Sequence, residues 1–285
     1  KVLNKGFHHL TCRLTGKPSF YVHRGSGIPL LGNGAFGLVD RNTNHIEVKP
    51  ITGCNVACVF CSVTDEKRVA EIVVEMEYLV EETEKLCNQK DCDDIEIFLN
   101  AHGEPTLYAD LEPLIKNLSK IPQIKRISMI TNGTLLTPQK LDALKAAGLT
   151  QLNLSLNSLK KDKSKEIMGK TYTLTTVLRL MNHAVNTIPL VISPVWVPKL
   201  NDDDMEDMCK WVADHRDHPF PPKIVIQNFL EYKYGSNPGK QRSWDDFYAE
   251  LERLEKTYNI PLRPKNEDFK FSKTKSIPKP FKKGD

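Results

Sequence analysis

Long apolar runs, a leader-like pattern and an even number of cysteines are what this sequence lacks. No apolar run reaches the roughly 18 residues that a membrane-spanning helix needs, so no membrane partner is expected. The first residues show no basic-then-apolar leader pattern. The chain starts on Lys1 and stops within a basic segment, and more protein is expected beyond it. Cysteine is scarce and odd in number, seven in 285 residues, at positions 12, 54, 58, 61, 87, 92 and 209. An odd set with three members crowded together argues against a disulfide scaffold. It points instead to a thiol-ligated metal in a reducing, cytoplasmic setting.

Acidic excess is also missing. The net charge is +4, and its source is local: residues 261–285 hold eight Lys or Arg against three Asp or Glu. Such a tail suits a phosphate backbone or an acidic surface, and it equally suits a solubilising linker. Lys270, Lys273, Lys275, Lys279, Lys282 and Lys283 are its candidate phosphate contacts. Phe269, Phe271 and Phe281 are its only aromatic residues.

What is present is a rhythm. After an irregular-looking first 34 residues, AFGLVD (35–40) and HIEVKP (45–50) flank the polar turn RNTN and read as a β-hairpin. β-Branched runs then alternate with amphipathic stretches. Strands are expected at 46–51, 94–99, 126–131, 151–156, 190–195 and 223–229. Helices are expected near 68–89, 110–119, 137–147, 174–186, 202–216 and 243–257. Repeated β-α units imply an α/β fold with a parallel sheet, either doubly wound or closed toward a barrel. In both cases the chemistry belongs to the loops after the strands. Three segments are expected: 1–45 as an N-terminal extension with the hairpin, 46–260 as the core, and 261–285 as a basic linker or the start of another domain.

The post-strand loops carry the unusual residues. After the first strand comes CNVACVFC, with Cys54, Cys58 and Cys61 spaced C-x3-C-x2-C. Three thiolates can hold three irons of a cubane cluster and leave the fourth iron open. The alternative is a structural zinc or fully ligated cluster, with the fourth ligand from Cys87, Cys92, His45 or His102. After the second strand comes His102-Gly103-Glu104-Pro105, and after the third Thr131-Asn132-Gly133. Ser155 and Asn157 follow at the fourth, and Val195 to Asp202 at the fifth. The run Asp202-Asp203-Asp204 opens a helix and is expected to serve its N-terminus rather than a metal.

In this order, and with Phe60 directly before the last cysteine, these motifs resemble those of the radical S-adenosylmethionine (SAM) superfamily. The likeness spans roughly residues 46–235. It implies a partial (β/α)6 TIM-like barrel, a 4Fe–4S cluster on Cys54, Cys58 and Cys61, and SAM chelated at the open iron. A low-potential donor such as ferredoxin or flavodoxin would reduce the cluster and cleave SAM to a 5′-deoxyadenosyl radical. The family's GGEP motif corresponds to residues 102–105, with His102 replacing the first glycine. Its implied SAM contacts are Phe60, His102, Gly103, Glu104, Pro105, Thr131, Asn132, Ser155, Asn157 and Val197. Too few cysteines remain for a second cluster, and Cys209, mid-helix, is badly placed as a methyl carrier. The ending IPKPFKKGD (277–285) resembles the entrance to a TRAM or OB barrel, which together with the basic tail suggests tRNA as substrate. The rivals are a radical SAM enzyme for a small molecule, lipid or peptide, and a non-catalytic metal-containing RNA-binding module.

Overall fold

The computed structural model describes residues 10–13, 15–62, 69–263 and 271–275. The expected hairpin is there: β3 (Gly37–Asp40) runs antiparallel to β4 (His45–Lys49). Beyond it, β6 (Ile95–Leu99), β7 (Ile124–Thr131), β8 (Gln151–Leu154), β9 (Leu190–Ile192) and β11 (Lys223–Ile224) join β4. They form a seven-stranded sheet ordered β11-β9-β8-β7-β6-β4-β3, in which every pair but β3·β4 is parallel.

The parallel strands lie in chain order, with no reversal. A doubly wound sheet has a reversal point, so this topology favours the barrel-wall alternative. The helices agree. We label them α1 (Met76–Lys90), α2 (Leu111–Leu118), α3 (Pro138–Ala147), α4 (Lys161–Met168), α5 (Leu174–Ala184), α6 (Asp202–Asp214) and α7 (Trp244–Tyr258). From α1 to α3 each packs on the next, and α3 packs on α5, as neighbours on one side of a sheet must. In α2 the apolar residues recur as Leu111, Leu114, Ile115 and Leu118, one stripe at helical spacing, and all four are buried. α3 starts as its sequence indicates: Thr137 Oγ1 accepts from the Lys140 amide at 3.2 Å, and Pro138 takes the first turn.

Alternation divides the sheet's two faces. Ile46 and Val48, then Ile95, Ile97 and Leu99, point to the helices and are fully buried. The inner face carries Glu47, Lys49, Glu96, Arg126 and Ser128. Its charges are paired: Lys49 with Glu47 at 2.9 Å, Arg41 with Glu47, and Arg126 with Glu96 at 3.3 Å.

Four expectations need correction. The stretch 68–89 is not one helix, because Glu71–Val74 forms strand β5 before α1 begins. The β-branched Ile72-Val73-Val74 favours extended backbone. The first 34 residues are not wholly irregular: β1 (Leu10–Thr11) and β2 (Pro18–Val22) build a small sheet ordered β1-β2-β5. The last two strands are broken. β9 stops before Pro194 and pairing resumes in β10 (Val195–Trp196), which lies parallel to β12 (Gln227–Asn228). Finally, α4 was not expected at all.

The tail is partly docked. Thr43 bridges Lys273, the Asn44 amide donates to Ser272 O at 2.9 Å, and the Phe271 ring meets His45 edge-on at 5.3 Å. Phe271 therefore packs at the start of β4, the end of the sheet opposite the post-strand loops. Lys270, Lys279, Lys282, Lys283, Phe269, Phe281 and the segment 277–285 lie outside the described residues. Among the described residues no helix is long and apolar enough to cross a membrane.

One buried ion pair ties the hairpin to the helical layer: Lys90 Nζ reaches Asp40 Oδ1 at 2.6 Å, with side-chain exposures of 0% and 10%. Asp40→Ala strands the ammonium and is expected to cost about 3–5 kcal/mol in urea unfolding. The double variant Asp40→Leu/Lys90→Met should recover most of that loss.

Candidate active site

The cysteine loop has no secondary structure of its own, so its backbone groups must find partners elsewhere. They find them on three sides. At its start, the Thr52 amide donates to Ile72 O at 3.0 Å, and Thr52 Oγ1 donates to Glu71 Oε2 at 3.0 Å. In its middle, the Ala57 and Val59 amides donate to Met168 O and Ile167 O at 3.0 and 2.9 Å, the last carbonyls of α4. Between the first two cysteines, Asn55 is clamped: its Oδ1 accepts from Asn132 Nδ2 and its Nδ2 donates to Thr134 Oγ1, both at 2.9 Å. Thr171 Oγ1 also donates to Asn55 O at 2.8 Å.

The loop after β6 is pressed against this one. The Glu104 amide donates to Gly53 O at 2.8 Å. A Cβ at position 103 would lie 1.9 Å from Gly53 O, so only glycine fits there. Glu104 itself is buried. Its carboxylate accepts from Thr131 Oγ1 and Thr106 Oγ1 at 2.6 Å, the Asn132 amide at 2.8 Å and the Thr106 amide at 3.0 Å. Burial pushes its carboxyl above the usual range, and these four donors oppose that shift. Gly133 holds a φ of +75°, completing the turn after β7.

These loops enclose a cavity of about 790 Å³ at the ends of the parallel strands. Cys54, Cys58, Phe60 and Cys61 line one wall. His102, Gly103, Glu104, Thr131, Asn132 and Ser155 line the other. Three expected contacts are not on its surface. Pro105 opens the buried 3-10 turn Pro105–Leu107. Asn157 is 1% exposed, and both ends of its amide are engaged: Oδ1 accepts from the Val195 amide at 2.8 Å and Nδ2 approaches Met168 Sδ at 2.9 Å. Val197 is buried, its amide donating to Asn201 Oδ1 at 2.8 Å. β8 ends at Leu154, so Asn157 lies past the strand and turns behind the cavity. Met168, Ser236 and Pro238 were missed by sequence reasoning, and Asn100 and Gly235 fall in the post-strand stretches 100–105 and 227–235 but were given no role. Met168 closes α4 with its sulfur 3.6 Å from Cys58 Sγ.

The donor set suits a multi-iron group better than a single ion. Among the described residues no three His, Cys, Asp or Glu side chains converge as one metal ion requires. His45 lies at the opposite end of β4, and Cys87 is buried in α1. Burial pushes the Cys87 and Cys209 thiols up to about 12, and neither residue lines the cavity. Burial also pushes Cys58 far up, and Cys54, Cys61 and Glu104 add to the shift by repelling its anion. Cationic iron would reverse that repulsion. The acidic run 202–204 serves structure: Asp202 accepts from Trp196 Nε1 at 2.6 Å, and Asp204 from Ser158 Oγ at 2.5 Å.

A mostly parallel α/β sheet with a three-thiol loop after its first parallel strand is an arrangement suited to holding an iron–sulfur cluster at a cavity. Comparison with known proteins specifies the family: the Radical SAM superfamily model matches residues 48–212. An uncharacterised protein of Methanocaldococcus jannaschii is 32% identical over 98% of this chain and 70% of its own length. The GTP 3',8-cyclase of Aquifex aeolicus is 29% identical over 87% of this chain and 79% of its own. Among solved structures, spore photoproduct lyase with bound AdoMet superposes with a TM-score of 0.61 at 15% identity, covering 86% of this chain and 79% of that one. TYW1 with a lysine-pyruvate adduct gives 0.53 at 17% identity, covering 78% and 75%. The chain belongs to the radical SAM superfamily, and its cofactors are a 4Fe–4S cluster and SAM.

Gly103→Ala keeps every thiol but forces the two loops apart. The iron and sulfide retained per chain after reconstitution are expected to fall toward the level of Cys58→Ala, with the far-ultraviolet circular dichroism unchanged.

Proposed function

We propose that Cys54, Cys58 and Cys61 hold the cluster, that the wall formed by residues 102–104, 131–132 and 155 receives SAM, and that substrate lies over the polar inner face of the sheet. The observation that carries this reading is one cavity shared by the three cysteines and the loops after β6, β7 and β8. A cluster held there and reduced by a low-potential donor such as ferredoxin or flavodoxin would supply the electron for reductive cleavage of SAM to methionine and a 5′-deoxyadenosyl radical, and so for hydrogen-atom abstraction from substrate.

The chain's own residues do the positioning. Glu104 joins the β6 and β7 loops through Thr131 and Asn132 and keeps a fixed carboxylate at the cavity wall. Asn132 passes that rigidity to the cysteine loop through Asn55. Ser155 Oγ offers hydrogen bonding at the end of β8, and the apolar Val56, Val59 and Ile130 limit water. Preorganised donors and acceptors of this kind orient a bound molecule without reorganisation at the moment of reaction.

The inner face favours a polar substrate. Asn100 lines both the main cavity and a second hollow of about 430 Å³ that also touches Glu47, His45 and Phe98. A nucleotide relative fits that character, since GTP 3',8-cyclases are among the most similar curated proteins. RNA, tRNA in particular, is the second reading, supported by the eight basic residues of 261–285. Residues 271–275 dock at the far end of β4, so they would anchor an RNA rather than present a base to the cavity.

The test is 5′-deoxyadenosine formation by anaerobically reconstituted, reduced protein given SAM with nucleotides, RNA, peptides or lipids. Wild type should form it and Cys58→Ala should form none. Stimulation by nucleotides alone supports the first reading and stimulation by RNA alone the second. No product, with zinc retained on the cysteines, would overturn the enzyme reading.

A further inference from the structure

The cysteine loop leans on α4, and α4 is where lysine collects. Residues 160–170, KKDKSKEIMGK, hold Lys160, Lys161, Lys163, Lys165 and Lys170 against Asp162 and Glu166, a net of +3. The first 260 residues sum to −1, so this is a local concentration and not a background charge. Two of the five are paired: Lys160 reaches Asp207 at 2.9 Å and Lys163 reaches Glu166 at 3.0 Å. Lys161, Lys165 and Lys170 are exposed and have no ion-pair partner among the described residues.

Close contacts tie this face to the thiols. Lys161, Lys165 and Met168 stand at i, i+4 and i+7, along one stripe of the helix. The stripe ends on Met168, whose sulfur lies 3.6 Å from Cys58 Sγ and whose carbonyl takes the Ala57 amide at 3.0 Å. Next to Lys170, Thr171 Oγ1 donates to Asn55 O at 2.8 Å, between the first two cysteines. A partner resting on α4 is therefore one helix diameter, about 10 Å, from the Cys58 sulfur. It leaves the cavity open, since Met168 alone of residues 160–170 lines it.

The charge selects the class of partner. A basic face seats an acidic protein or a phosphate backbone. Single-stranded RNA also needs aromatic platforms for its bases. Residues 160–172 offer one aromatic side chain, Tyr172, and it is 1% exposed. An electron carrier has no such need, because its encounters are small and steered by charge. α4 has eight residues, a length of about 12 Å, which suits a small carrier.

We propose that the lysine face of α4 is the docking surface for the electron donor, a small acidic ferredoxin. This rests on the reading that Cys54, Cys58 and Cys61 hold the cluster. One electron leaves the iron–sulfur group of the ferredoxin, which is oxidised by one unit, and enters the cluster, which is reduced by one. No atom is transferred.

The test uses anaerobically reconstituted protein and a 4Fe–4S ferredoxin. Calorimetric titration at low salt reads binding, and stopped-flow absorbance reads cluster reduction by prereduced ferredoxin. The variant Lys161→Glu/Lys165→Glu/Lys170→Glu changes exposed side chains only, and far-ultraviolet circular dichroism checks its fold. It should weaken ferredoxin binding and slow reduction by ferredoxin about tenfold or more. Dithionite should reduce its cluster at the wild-type rate. Wild-type affinity should fall steeply as salt is raised. The control Lys116→Glu/Lys120→Glu/Lys125→Glu makes the same charge change between α2 and the start of β7, away from the thiols. It should stay within about twofold of wild type. If wild type binds no ferredoxin, or the two triple variants behave alike, the proposal is wrong while the cluster reading stands. If a flavodoxin or an RNA oligonucleotide binds this face in place of ferredoxin, the assigned partner is wrong. If wild type takes up no iron, the cluster reading falls and the proposal with it.

Discussion

Everything in this structure depends on holding eight residues of irregular backbone still. On a helix, positions 54, 58 and 61 would share one face but spread over about 10 Å of axis; here they reach one cavity from irregular backbone. Its shape must then come from its surroundings. The surroundings are the loop after β6, whose Gly103 lets Gly53 approach, and the last turn of α4, whose carbonyls take the Ala57 and Val59 amides. An α-helix leaves its last carbonyls unpaired. Here two irregular features satisfy each other.

The same economy links the cavity's two walls. Glu104 gathers donors from the β6 and β7 loops, and Asn132, one residue from Thr131, reaches back to Asn55 between the first two cysteines. A shift in any one loop therefore reaches the other two. Beneath them the sheet separates its functions by face. Isoleucine and leucine pack outward against the helices, while paired charges and hydroxyls occupy the inside. A buried charge bonded to its partner costs far less than an unpaired one, so pairing lets the inner face stay polar.

Much of this was legible in the sequence because the signals were short-range. The alternation of β-branched and amphipathic runs located β4, β6 and β7 and the helices α2 and α3 within a few residues. The cysteine spacing and the order of the loops pointed to several residues that line the cavity, among them Cys54, Cys58, Cys61, His102 and Ser155. The failures were equally specific. α4 is KDKSKEIM, with apolar residues only at its end, and shows no stripe. Its importance comes from its C-terminal carbonyls, which no side-chain pattern reports. β5 hid at the front of a helical stretch because four extended residues precede a longer amphipathic run. Asn157 and Val197 were assigned to the cavity by motif position, but the early end of β8 turns Asn157 toward Met168 and Val195 instead. Phe271, read as part of a free tail, gains its place from a bridge to Thr43 more than two hundred residues away.

The central claim is that three cysteines hold a cluster with one iron open to SAM. Electron paramagnetic resonance of the reduced, reconstituted protein with and without SAM tests it most directly. The account predicts a signal from a reduced 4Fe–4S cluster whose g-values change when SAM is added. A signal indifferent to SAM would mean the fourth iron is already ligated by the protein, and the account would be wrong.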